Sequence, residues 1–266
     1  MRCVGIFLLV GVYLFTPVKA TGENHPAGAR SSGVAHASVA LIDIWCFHNN
    51  QAALAYLESL SLGFFHQPGY VREMDHQVIA LLIPVSGGAL SGSFAHYGYR
   101  HYHESKAGIA YGRYLAKNFC AGIQIDYFHT GISGIYGSSH QLTFEAGMHL
   151  RVNEQWSLAT HFFNPLDPFS EGQLPAVFRL GVGWKPSEKL LLLAEMEKDP
   201  DRQAIPKMAV EYTLGGMFCL RSGISFNPVL HCFGVGYAWS GFQADLACSF
   251  HPVLGHTPNL ALSYAF

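Results

Sequence analysis

The stretch Gln141–Val152, which reads QLTFEAGMHLRV, decides the fold class of this chain. Every even-numbered residue in it is apolar, and every odd-numbered residue is polar, charged or glycine. Because a β-strand points successive side chains to opposite faces, the stretch predicts a strand with one apolar and one polar face. The same period of two prevails from about Leu57 to the end of the chain.

The alternation is clear again in three later stretches, residues 177–184, 207–214 and 242–250. A soluble β-sandwich also alternates, but its polar face lies in water and would carry many Lys, Glu and Thr residues. Here the polar faces are rich in Gly, Ala and Ser. Small residues suit a narrow, crowded barrel interior with large aliphatic side chains facing lipid, so the pattern predicts an all-β transmembrane barrel.

The composition agrees with a membrane protein. Only 13% of the residues are charged, roughly half of the ~25% usual in soluble domains. A soluble protein so poor in charge would struggle to cover its surface. The formal net charge of −2 offers no basic footprint, so nucleic acid is excluded as a partner.

Residues 1–20 predict a secretory signal peptide. Arg2 precedes the apolar run Val4–Phe15, and small residues lead to a cleavage position after Ala20. No later stretch is long and apolar enough for a membrane-spanning helix; the most apolar candidate is Lys189–Met196. An exported chain of this kind is periplasmic, secreted or an outer-membrane barrel.

The positions of turn residues predict about fourteen strands, an even number as in bacterial single-chain barrels. The predicted strands are 57–66, 76–84, 88–99, 106–116, 119–129, 139–152, 155–163, 175–185, 189–197, 206–215, 217–226, 230–240, 242–251 and 258–266. Connections alternate between short and long, which is typical of short periplasmic turns and longer external loops. The long ones are predicted at 66–75, 99–106, 130–139, 164–174, 198–206 and 251–257. Both termini are therefore expected in the periplasm of a Gram-negative bacterium.

The last strand ends in an aromatic residue on its apolar face. Leu260, Leu262, Tyr264 and Phe266 share that face. A terminal aromatic on an amphipathic strand resembles the signal that the barrel-assembly machinery reads, so that machinery is an expected partner, together with outer-membrane lipid.

The region before the first strand contains three notable stretches, 28–34 (GARSSGV), 37–43 (ASVALID) and 49–54 (NNQAAL). Together they resemble the N-terminal signature of the FadL-like outer-membrane barrels, in particular their PorV and PorQ branch. Tyr111–Leu115 and Lys117–Gly122 are similar to the fourth and fifth strands of those proteins.

This resemblance implies a barrel of fourteen strands with an N-terminal hatch folded into the lumen. The predicted domains are a signal peptide at 1–20, a hatch at 21–56 and a barrel at 57–266. The hatch residues in the matching stretches are Arg30, Leu41, Asp43, Asn49, Asn50 and Ala52. FadL proteins move hydrophobic molecules through a lateral opening, whereas PorV and PorQ are accessory proteins of type IX secretion.

Charged residues on the inward face of neighbouring predicted strands suggest a ladder of ion pairs in the lumen. Its members are Glu145, Arg151, Arg179, Glu195, Glu197, Lys207, Glu211 and Arg221. The ladder is either a selectivity or gating region or the neutralisation that a narrow barrel requires, because unpaired buried charge is costly.

The fifteen histidines invite a metal or catalytic interpretation. His101 and His103 with Glu104 could share a metal, but spacing fixes no third ligand, and the prediction is that there is no metal site. Ser139 with His140 and Asp126 with His129 are the nearest catalytic pairings, and such pairs arise in any histidine-rich chain. The cysteines show no spacing for zinc or a disulfide framework. We therefore expect no enzyme activity and no cofactor.

Two functions remain open. The first is a plugged barrel that serves as an accessory component of a PorV/PorQ-type secretion or envelope assembly and contacts secretion-system proteins. The second is a FadL-like transporter for a small hydrophobic ligand. The inward charges favour the first, because a transporter needs a continuous apolar tunnel. The tight connections favour it too, because they leave little room for a large capture site.

Overall fold

The computed structural model describes residues 24–69, 71, 73–133, 137–165, 174–200, 202–253 and 255–266. The predicted signal peptide and the first residues of the predicted hatch lie outside these ranges. A first α-helix, α1, spans Ala29–Gly33, a second, α2, spans Cys46–Asn49, and a 3-10 helix spans Gln51–Tyr56. No helix in the described ranges has the length and apolar character needed to cross a membrane.

Fourteen antiparallel strands follow, and they close into a barrel in which β1 pairs with β14. They are β1 Ser61–Gln67, β2 His76–Val85, β3 Gly88–Tyr99, β4 Tyr102–Ala116, β5 Phe119–Ile132, β6 Gly137–Arg151, β7 Trp156–Phe163, β8 Val177–Ser187, β9 Leu190–Lys198, β10 Ile205–Leu214, β11 Phe218–Ser225, β12 Leu230–Trp239, β13 Phe242–His251 and β14 Gly255–Ala265. Each predicted strand overlaps one of these, so the predicted fold class and strand number are confirmed.

The alternation places side chains as expected. On β6, Leu142 and Met148 are 72% and 50% exposed, whereas their neighbours Glu145 and His149 are buried. The exposed apolar residues form the outer surface of the barrel, and the polar and small residues face inward. This separation follows directly from the period of two.

The predicted rhythm of connection lengths is wrong at three places. The connection predicted at 99–106 is only a turn at residues 100–101, and those predicted at 130–139 and 251–257 shorten to 133–136 and 252–254. Polar residues suggested loops there, but the strands continue through them. The neighbouring strand satisfies the backbone hydrogen-bonding groups, and this pairing does not depend on whether the side chains are polar. Long connections remain at 68–75, 164–176 and 199–204.

Turns at the opposite end are tight. Ser240 and Gly241 connect β12 to β13 with φ values of 46° and 82°. Positive φ at both central residues matches the twist of two-residue hairpins. The end of the barrel with these tight turns is called the short-turn end below. The opposite end, which carries the connections 68–75, 164–176 and 199–204, is called the long-loop end.

Candidate functional site: the barrel interior

Residues 24–56, called the N-terminal segment below, pack against inward-facing residues of strands around the barrel. The 3-10 helix contacts β3, β4, β5 and β6, while α1 contacts β11, β12, β13 and β14. Leu41, predicted as a hatch residue, is 2% exposed and packs with Val34, Ala37 and Leu193. The interior is thus occupied by this segment rather than by an open tunnel.

The first attachment of the segment is steric, and we call it the packed anchor. A Cβ at Gly122 of β5 would overlap the backbone of Gln51, and one at Gly147 of β6 would overlap the side chain of Asn50. Ala52 beside them is fully buried. The 3-10 helix can approach these strands only because glycine leaves the space open.

Asn50 fixes the start of the 3-10 helix within the packed anchor. Its side chain accepts a hydrogen bond from Ala52 N at 3.2 Å, and its amide donates to Val39 O at 2.9 Å and Met148 O at 3.1 Å. An asparagine at the N-cap satisfies a backbone N–H that the helix itself leaves unpaired. One side chain therefore joins the helix, the rest of the segment and the wall.

The second attachment is electrostatic, and we call it the ionic anchor. Arg30 donates from Nε and Nη2 to the two carboxylate oxygens of Glu211 at 2.9 and 2.7 Å. Arg221 donates to Glu211 at 2.6 Å and to Asp245 at 2.6 Å. Asp43 lies 3.4 Å from Arg30. Two-pronged arginine–carboxylate pairing fixes geometry as well as charge.

Burial raises the pKa of the Asp43 carboxyl above its ordinary value, and the nearby Arg30 guanidinium opposes that shift. Asp43 also accepts a hydrogen bond from Trp45 N at 2.9 Å. Its position inside the segment therefore links Arg30 to the turn that precedes α2.

A third group of charges lies between the anchors. Lys207 donates to Glu195 at 2.9 Å and to Glu197 at 2.7 Å, and Arg179 donates to Glu197 at 3.1 Å. Glu195 in turn accepts a hydrogen bond from Val39 N at 2.8 Å. These wall charges neutralise one another and also hold the backbone of the segment.

Glu145 belongs to a separate cluster. It accepts hydrogen bonds from Gln51 at 2.5 Å and from Lys106 at 2.7 Å, and it lies 2.9 Å from His161. Lys106 also lies 3.3 Å from Asp126. A single lysine thus serves two buried carboxylates beside the packed anchor.

The structure divides the predicted charge ladder into these groups. Arg151 lies apart from them at the short-turn end, where its guanidinium sits 3.7 Å from the ring centroid of Tyr56. The predicted ladder left out Lys106, Asp126 and Asp245, although each occupies an inward position of an alternating strand. The alternation of these strands was the signal that could have included them.

The remaining predicted residues are spread over other places. Asn49 is buried in α2. Leu260, Leu262 and Tyr264 lie on the outer face of β14, and Phe266 directly follows that strand, with the Tyr264 and Phe266 rings 4.8 Å apart. The possible metal trio is not assembled, because Glu104 is buried inside while His103 faces outward. The same alternation separates Asp126 from His129.

No set of three or more His, Cys, Asp or Glu side chains in the described ranges is placed to close around a metal ion. The five cysteines of the described ranges are free thiols. They are Cys46, Cys120, Cys219, Cys232 and Cys248.

The N-terminal segment separates two chambers. The chamber at the long-loop end has a volume of about 260 Å³, with His36 and Asn49 on its floor and Phe163, Val177 and Leu230 on its walls. The chamber at the short-turn end has a volume of about 870 Å³ and is lined largely by polar and charged residues.

A small cavity of about 20 Å³ lies beside the segment, next to β2–β5. Phe47, Val78 and Phe128 form its apolar lining, and Asn24 lines both this cavity and the long-loop chamber. Its volume is close to the ~10–15 Å³ needed by a single water molecule.

Solved structures of membrane channels are similar to this barrel over most of the chain. The toluene transporter TbuX of Ralstonia pickettii matches with a TM-score of 0.70 at 12% identity, covering 90% of this chain and 98% of that chain. This chain has the same barrel fold. The CymD monoaromatic hydrocarbon channel matches with a TM-score of 0.69 at 11% identity, covering 90% and 97%. A FadL homologue of Pseudomonas aeruginosa matches with a TM-score of 0.65 at 12% identity, covering 91% and 99%.

No family model matches the sequence, and no curated protein matches it. The structural likeness thus confirms the predicted FadL-like barrel fold. The narrower resemblance to PorV and PorQ gains no support from these neighbours.

Proposed function

We propose that this protein is an outer-membrane barrel that admits small hydrophobic molecules. The long-loop chamber is the observation that carries the proposal. It has a volume of about 260 Å³, and its lining combines apolar residues with charged side chains, among them Arg179, Glu197 and Lys207. A dry cavity of ~150 Å³ lined by aliphatic and aromatic residues is enough to hold benzene. The chamber is therefore large enough for a monoaromatic molecule.

The neighbouring structures support the same function. TbuX is a toluene transporter and CymD is a monoaromatic hydrocarbon channel, and both share this barrel fold. Of the two functions left open by the sequence, these neighbours favour the transporter over the accessory role in secretion. The inward charges that argued against a tunnel are engaged with one another and with the N-terminal segment, and Arg179, Glu197 and Lys207 line the long-loop chamber as ion pairs beside its apolar residues.

In this proposal the N-terminal segment acts as a hatch. A molecule enters the long-loop chamber from outside the cell and moves past the segment when the segment shifts, because the cavity of about 20 Å³ beside it is too small for passage. The orientation follows from the short turns, which face the periplasm in outer-membrane barrels. Both termini would then be periplasmic.

Binding of toluene to the detergent-solubilised protein tests the proposal. Val177→Trp fills the chamber from an inward position of β8, so it should weaken saturable toluene binding in calorimetry by about tenfold, as expected when ~1.4 kcal/mol of binding energy is lost. Val182→Trp is the matched control, because Val182 lies on the same strand but faces outward. Absence of saturable binding by the unmodified protein, or equal binding by both variants, would refute the proposal.

A further inference from the structure

Four histidines from neighbouring strands line up on the outer surface of the barrel near its long-loop end. His96 on β3 pairs with Ser105 on β4, Ser105 pairs with His129 on β5, and His129 pairs with His140 on β6. His103 belongs to the same row: it pairs with Gly131, and its ring lies next to those of His96 and His129. Each member of the row comes from a different position along the chain and meets its neighbours only through strand pairing, so the spacing of histidines in the sequence does not predict the row.

The alternation of each strand puts this row outside the lumen. On β4, Glu104 and Lys106 are buried inside the barrel, so His103 and Ser105 face outward. On β5, Asp126 and Phe128 are buried inside, and His129 faces outward. The row is therefore separate from the chambers and from both anchors.

The rings of the row are in contact distance of one another. The ring centroids of His129 and His140 are 4.7 Å apart, those of His103 and His129 are 5.4 Å apart, and those of His96 and His103 are 5.9 Å apart. Two imidazoles that share one metal ion place their centroids about 4.5–5.2 Å apart, given metal–nitrogen bonds of about 2.0–2.1 Å and angles of 90–110°. The pair His129 and His140 has this spacing.

Hydroxyl groups orient the histidines at both ends of the row. The Tyr127 hydroxyl lies 2.6 Å from Nδ1 of His140, and the Ser105 hydroxyl lies 3.2 Å from Nδ1 of His96. Metal-binding histidines commonly use one ring nitrogen for such a hydrogen bond and the other for the metal. In His140 this arrangement leaves Nε2, which lies 3.4 Å from the Ser138 hydroxyl.

We propose that His129 and His140 bind a divalent transition-metal ion on the outer surface of the barrel. Imidazole pairs favour Cu²⁺, Ni²⁺ and Zn²⁺ over Mg²⁺ and Ca²⁺, and Cu²⁺ binds most tightly in the general affinity order of these ions. Water completes the coordination, because no third side chain of the described ranges closes around the same point. His103 stands next to the site without being required by it.

Titration of the untagged protein in detergent with Cu²⁺ tests this site. One Cu²⁺ should bind per chain, and its electron paramagnetic resonance spectrum should show two coordinating imidazole nitrogens. His129→Gln and His140→Gln should each weaken binding at least tenfold. His231→Gln is the matched control, because His231 is an exposed histidine on β12, away from the row, and its replacement should change nothing.

Heat-modifiable migration on gels verifies that each variant is folded, so lost binding reports on the site. Equal Cu²⁺ affinity in the folded double variant His129→Gln/His140→Gln would overturn the proposal. So would a spectrum with one coordinated nitrogen, or an equal loss of affinity in His231→Gln. The outcome is independent of toluene binding.

Discussion

The two anchors of the N-terminal segment hold the same chain by different forces. At the packed anchor, the 3-10 helix lies against Gly122 and Gly147 with no space for another side chain. At the ionic anchor, Arg30 is held by Glu211, which also accepts a hydrogen bond from Arg221. Packing depends on volume and is insensitive to salt or pH, whereas buried charge depends on every partner being present.

Because of this difference, the two anchors should respond to different changes. The ionic anchor can be weakened by protonation or by loss of one charged partner, whereas the packed anchor rests on close packing and on the neutral hydrogen bonds of Asn50. If the segment moves to admit a molecule, the ionic anchor is therefore the end expected to release first. Four experiments, from the largest expected effect to the smallest, test this comparison.

Removal of both anchors should have the largest effect. Deletion of residues 25–54 leaves all fourteen strands intact and removes the barrier between the chambers, so the barrel should conduct ions in planar bilayers. The intact protein should stay nearly closed. Equal conductance of the two proteins would mean that the segment does not seal the lumen.

Loss of one charge at the ionic anchor should have the second-largest effect. Arg30→Met leaves Asp43, Glu211 and Asp245 with only Arg221, and breaking a buried pair typically costs ~3–5 kcal/mol. The variant should open far more often in single-channel recordings. The double variant Arg30→Met/Glu211→Gln should recover part of the loss, because it removes both partners.

The control for the ionic anchor is Arg202→Met. Arg202 is largely exposed and pairs with Asp199 at 3.6 Å, so its loss should leave the open probability unchanged. An effect as large as that of Arg30→Met would show that the ionic anchor has no special role.

A side chain at the packed anchor should have a smaller but clear effect. In Gly147→Val the new side chain overlaps Asn50, and overpacking of this kind typically costs ~1–3 kcal/mol. The open probability should rise and should not respond to ionic strength. Gly92→Val is the control, because nothing lies within 4 Å of a Cβ at Gly92. A salt-dependent response of Gly147→Val would contradict the steric origin of this anchor.

Acid should loosen the segment gradually. Burial, reinforced by Lys207 and Arg179 and opposed by Glu197, lowers the pKa of His36 to about 3, against an ordinary value near 6.5. His36 therefore stabilises the docked segment fully above pH 6.5, and this contribution falls as the pH drops from 6.5 towards 3. The docking equilibrium should shift by up to about tenfold for each pH unit in this range.

His36→Gln should flatten this pH dependence, because glutamine does not titrate. A residual slope is expected from His48. Burial lowers the pKa of His48, and the positive charge of the nearby Lys106 lowers it further. Single-channel recordings between pH 7 and pH 5 measure both slopes. Identical slopes in the variant and the unmodified protein would exclude His36 as the source.

Much of the fold was predictable from the sequence because strand alternation is a local property. Gln141–Val152 revealed its apolar face without any information from other strands, and the same held along the barrel. The predicted connections were wrong where a polar local composition indicated a loop. The polar residues 100–106 suggested a loop, but most of them lie in β4, because strand pairing supplies their backbone hydrogen bonds.

The interior was harder to predict. Each inward charge was visible as a position on a strand, yet its partners were not. Glu211 meets Arg221 because β10 and β11 are paired in one register, and it meets Arg30 because the N-terminal segment crosses the lumen. The histidine row was not predictable either, because its members meet only through the register of β3, β4, β5 and β6.

The sequence by itself determined the all-β class, the number of strands and which residues face outward. A period of two encodes these features within each strand, without reference to any other strand. Only the tertiary structure decided which side chains meet across strands, how the N-terminal segment is held and how the lumen divides into chambers. These features depend on register and barrel closure, which arise when all fourteen strands pair at once and bring distant parts of the chain together.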